Sequence, residues 1–124
     1  MLEMLAVGLG GFVGAVLRFG VTKWVARFGS GGFPYGTFVV NVVGCLIIGI
    51  VFALIETRPQ ISANVRLFVI VGLLGSFTTF STFGYETFEL LRNGLWGLAT
   101  ANVMGSAALG LCAVVAGRFV GRLV

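Results

Sequence analysis

The sequence has no histidine and no aspartate, and its only acidic residues are Glu3, Glu56, Glu86 and Glu89. The usual metal-ligand clusters, acid–base pairs and nucleophilic triads therefore cannot be assembled. An enzyme is not expected. Charge of either sign is scarce: 10% of residues are charged against 58% apolar, and the mean hydropathy is +1.09. That balance excludes a soluble domain and describes a membrane protein. Cys45 and Cys112 each lie inside an apolar run, so they read as small buried packers, not as a disulfide. The net charge is +4, but the basic residues stand at segment ends. There they mark topology and headgroup contacts, and no nucleic-acid partner is expected. The opening MLEMLAVGLGG lacks a basic n-region and a small-residue cleavage site, so a retained first helix is expected instead of a signal peptide.

What is present is a series of apolar runs, each long enough to cross the roughly 30 Å hydrocarbon core as a helix. The first runs from about Met4 to Ala26 and holds a single interior charge, Arg18. Gly10 and Gly14 form a GxxxG pair, and Arg18 continues the same spacing, so this face should be buried against protein. Arg18 then points either into the assembly or toward the nearer interface with Lys23 and Arg27. Phe28 to Tyr35, with Pro34 and three glycines, is a turn-rich connection. Gly36 to Ile55 is the second span, with Asn41, Gly44, Cys45 and Ile48 on one face. Asn41 serves either as helix–helix glue or as an amide donor to a passing anion. Glu56 to Arg66 is the most polar segment and reads as a loop, with Pro59 breaking any helix.

The third span is the one around which the chain is organised. The uncharged run Leu67 to Tyr85 contains Gly72 to Phe83, reading GLLGSFTTFSTF, and this middle is poor helix material. Gly72 and Gly75 weaken the backbone, and five Ser or Thr hydroxyls compete for it. A break in the helix is expected there. Lipid tolerates such a break only where the freed backbone is buried in protein or lines a wet or ion-filled cavity, which suggests a transport site. Phe77, Phe80 and Phe83 stand three apart. Ordinary packing is the plain reading of that spacing. Among hydroxyls on a helix break, however, the electropositive ring edges of Phe80 and Phe83 could support an anion without holding it too tightly. Glu86, one turn beyond Phe83, stands either at a pore mouth or at a solvated helix end. The fourth span is Gly94 to Gly117, with Asn102, Gly105, Ser106 and Gly110 on one face and Arg118 and Arg122 in a tail. The chain, 1–124, reads as one all-α domain of four transmembrane helices.

Four spans put both termini and the middle loop on one side, with Arg58, Arg66, Arg118 and Arg122. The other side has Lys23, Arg27 and Arg92, with Arg18 if it snorkels. This is no bias, so the positive-inside rule chooses no orientation. A chain that inserts both ways can build an antiparallel, dual-topology homodimer, and the glycine faces are the natural interface.

In order along the chain, Gly10 to Arg18, Gly36 to Gly44 and above all Gly75 to Phe83 resemble the Fluc (CrcB-like) fluoride channels, over essentially the whole sequence. The resemblance implies an inverted dimer in the inner membrane, with two pores that passively export fluoride. It implies that Phe80 and Phe83 turn ring edges to the ion, that Asn41 lines the pore, and that Thr37, Ser81, Thr82 and Glu86 form a polar track. It implies a vestibule position for Arg18 and a structural, untransported Na+ held by backbone carbonyls of Gly75 and Thr78. Asn102 and Ser106 fall on the pore wall, although some relatives carry tyrosine where this chain has Asn102. Two other readings compete: a small dual-topology multidrug exporter, which needs a carboxylate in its first helix where only Glu3 is available, and a non-transporting packing subunit.

Overall fold

The computed structural model describes all 124 residues. The chain is all helical, and four of its helical segments are long and apolar enough to span a membrane: Leu2–Val25, Tyr35–Thr57, Ala63–Arg92 and Trp96–Leu123. Only 18 of 124 residues are buried, and the large exposed side chains are mostly apolar, which is the surface expected of helices that face lipid.

The first and second spans are α1 (Leu2–Val25) and α2 (Tyr35–Thr57). Gly31 and Gly32 carry the turn between them at φ of 97° and 81°, a region closed to most side chains. The third span is composite. It opens with α3 (Ala63–Arg66), capped by the Ser62 hydroxyl, widens into a π-helical stretch Leu67–Leu74, and tightens into α4 (Gly75–Phe77). Thr78 and Thr79 are extended, and the chain resumes as α5 (Phe80–Arg92). The fourth span is α6 (Trp96–Leu123).

Two expectations are corrected here. The segment Glu56 to Arg66 is helical at both ends: α2 continues to Thr57, Pro59 follows its end, and the Ser62 cap restarts a helix at Ala63. The fourth helix does not stop at Gly117 but runs to Leu123. The supposed tail is held because a Cβ at Gly117 or Gly121 would meet the backbone of Leu46 and Ile50. Arg118 also donates two hydrogen bonds, of 3.0 and 2.9 Å, to the Glu56 carboxylate.

The same close approaches define the packing. Gly10 and Gly14 lie against the backbone of Phe68 and Leu73, and Gly72 against that of Val7, joining α1 to the π-helical stretch. Gly49, Gly117 and Gly121 join α2 to α6 in the same way. Each pair runs parallel, the first span with the third and the second with the fourth. The glycine faces expected to meet a second copy are thus occupied within one chain.

Candidate functional site

The break in the third span is made by the residues around it. Thr78 turns both its N–H and its hydroxyl back to the Leu74 carbonyl, each at 3.0 Å, and so closes the last helical turn before the break. In a continuous helix the Thr79 N–H would then close on the Gly75 carbonyl. Instead it donates to Asn41 Oδ1 at 2.9 Å, while Asn41 Nδ2 donates to the Thr79 carbonyl at 3.2 Å. One amide from α2 therefore satisfies both backbone groups of Thr79, a residue only 8% exposed. The Thr79 hydroxyl accepts from the Thr82 N–H at 3.3 Å and restarts the helix as an N-cap. It donates to Thr82 Oγ1 at 2.8 Å.

Beside the break lies a cavity of about 560 Å³. Asn41, Gly75, Thr78, Phe80, Phe83 and Ser106 all line it, so residues singled out from three separate spans converge on one space. The Phe80 and Phe83 rings lie 5.8 Å apart with a 34° tilt. Phe80 is 85% exposed and forms an outer lip of the cavity, whereas Phe83 is half-buried. Ser106 Oγ is buried with no hydrogen-bond partner.

Not every residue singled out from the sequence lines this space. Thr37 and Glu86 sit together off the cavity, with the Thr37 hydroxyl 2.9 Å from Glu86 Oε1 and Glu86 Oε2 buried without a partner. Ser81 and Thr82 are exposed on α5. Arg18 is half-buried on α1 and makes no hydrogen bond or ion pair within the chain. Asn102 is fully buried behind the cavity wall and donates to the Thr87 hydroxyl at 3.0 Å.

A family model described as CrcB-like protein, Camphor Resistance (CrcB), matches residues 5–118. A relative from Chloroflexus aurantiacus is 51% identical over 123 residues, covering 98% of this chain and 97% of its own length. Relatives from Roseiflexus and Clostridium perfringens are each 40% identical, covering 99% and 100% of this chain and 99% and 97% of their own. The chain belongs to the CrcB family. Each of these relatives is named "Fluoride-specific ion channel FluC". They are channels by name and not enzymes, in agreement with the residues missing from this chain.

Within this CrcB member, two threonines escaped sequence reasoning. Thr79 was visible only as one hydroxyl among several, and its partnership with Asn41 depends on α2 lying alongside the break. Thr87 carries no local signal beyond standing four residues after Phe83, whose carbonyl accepts from its hydroxyl at 2.7 Å.

Proposed function

We propose that this multi-pass membrane protein is a fluoride-selective channel, through which the anion leaves the cytoplasm passively across a bacterial inner membrane. The observation that carries this reading is the near full-length match to relatives named as fluoride channels. The cavity supplies a physical rationale. Asn41 has two amide protons, of which one holds Thr79 and the other is uncommitted. Ser106 has a free hydroxyl proton. With the ring edges of Phe80 and Phe83, these form a set of weak donors suited to an anion that must also depart. Thr37, Ser81, Thr82 and Glu86 continue the polar path away from the cavity, and Arg18 attracts anions at its vestibule. Hydrogen fluoride crosses bilayers uncharged and dissociates inside the cell. The membrane potential then drives the anion outward at about 2.3 kcal/mol per 100 mV.

The working unit in this reading is an antiparallel homodimer with two pores. A single chain leaves Phe80 and Gly75 exposed at the break, and its basic residues favour neither orientation. A structural Na+ fits the same place. Diversion of the Thr79 N–H to Asn41 leaves the Gly75 carbonyl without its helical partner, and carbonyl oxygens are good ligands for hard cations. Gly75 and Thr78 of two copies would hold the ion on the two-fold axis. The exporter reading is weaker, since Glu3 lies in the exposed first turn of α1.

Fluoride efflux from liposomes holding the purified protein, with a potassium ionophore present and chloride as comparison, tests the proposal. Fast, fluoride-selective efflux is expected. Absence of efflux from a folded protein favours a packing subunit. Efflux only against a proton gradient indicates a coupled carrier, with Glu86 and Glu89 the first residues to examine.

A further inference from the structure

The aromatic pair sits on an element tied to its surroundings at few points, among them the Thr79 cap at its start and the Thr37–Glu86 hydrogen bond to α2. Phe80 and Phe83 occupy the first turn of α5, which follows the break and has no preceding turn to rest on. Leu90 is the only buried residue of that helix. Its rotation, and with it the direction of the Phe83 ring, needs a fixed point outside the break.

Such a point exists in α6. Asn102 is 0% exposed and donates from Nδ2 to Thr87 Oγ1 at 3.0 Å. Thr87 in turn donates its hydroxyl to the Phe83 carbonyl at 2.7 Å. Thr87 has one hydroxyl proton, and it is committed to Phe83, so its oxygen can only accept from Asn102. That fixes which way the Asn102 amide faces. It also leaves Asn102 Oδ1 buried without a partner, an arrangement that costs stability and that an apolar side chain would avoid.

We propose that Asn102 is a positioning residue for Phe83, acting from the fourth span through the Thr87 hydroxyl. The proposal rests on the fluoride-channel reading for its functional consequence but not for its geometry. Hydrogen bonds in series polarise one another, so the two links form a single strut from α6 to the first turn of α5. Asn102 does not touch the ion.

Two measurements test this strut. In liposomes, Asn102→Leu and Thr87→Val should each slow fluoride efflux roughly fivefold or more, the factor that one ordinary hydrogen bond supplies. The double variant should be no slower than either single one, because both break the same link. Thr87→Ser keeps the hydroxyl and should restore wild-type efflux. A purely structural role predicts a different pattern: Asn102→Leu would unfold more easily than wild type, yet the folded protein would conduct normally. Normal efflux in Asn102→Leu or Thr87→Val, or a loss in the double variant equal to the product of the singles, overturns the proposal. The second measurement is the fluorine NMR signal of a fluorinated phenylalanine placed at position 83. It should shift in both disrupting variants and stay in place in Thr87→Ser, and an unmoved signal also overturns the proposal. A wild-type protein that conducts no fluoride would defeat the channel reading, while the NMR signal would still decide the positioning role.

Discussion

Phe80 and Phe83 illustrate how much a residue's meaning depends on its setting. Three phenylalanines at helical spacing are ordinary packing residues in most membrane helices. Here two of them meet at 5.8 Å on the edge of a cavity that also takes in Asn41 and Ser106. If their ring edges support the ion, isoleucine, with similar bulk but no quadrupole, removes that support. Phe80→Ile and Phe83→Ile are therefore expected to fold and to lose most fluoride efflux in the liposome assay. Flux preserved in both would discard the aromatic mechanism. These residues were legible in the sequence because polar and aromatic groups stand out within an uncharged run. Thr79 and Thr87 were not, since hydroxyls recur throughout Ser76 to Thr87 and burial of one over another is set by the neighbouring helices.

At the scale of the element, the third span is a helix made to stop and start again. The weak stretch, Gly72 to Phe83, was readable from propensity alone. Its boundary was not, because the partner of the broken backbone lies far off in the sequence. Asn41 supplies both hydrogen bonds to Thr79. Asn41→Leu would strand a buried N–H and a buried carbonyl, at about 1–3 kcal/mol each, a substantial fraction of a typical protein's net stability. The expected outcome is a lower unfolding temperature in detergent, together with faster amide exchange at Thr79. An unchanged unfolding temperature with Thr79 still protected would mean that the break does not depend on this clamp. The polar segment after α2 taught the opposite lesson. Its polarity suggested a loop, yet a proline after the helix end and a serine cap confine the irregular part to a short turn.

For the whole molecule, the expected antiparallel pairing yields a direct test. Single cysteines introduced at Ser30 and at Gln60, with Cys45 and Cys112 replaced by serine, lie on opposite sides of a given chain. In sealed vesicles an impermeant thiol reagent should label about half of each variant from outside if the chain inserts both ways. Full labelling of one variant and none of the other would establish a single orientation and exclude the inverted dimer. By itself the sequence determined the membrane class, the number of spans, the weak centre of the third helix and the polar groups available for chemistry. Those properties follow from composition and from periodicity along one segment, which local physics fixes. Only the tertiary structure decided that the glycine stripes join helices within the chain, that Asn41 holds the break open, and that Asn102 lies behind the cavity wall. Each of these depends on which helix faces which, and that is settled by close backbone contact between segments distant in sequence.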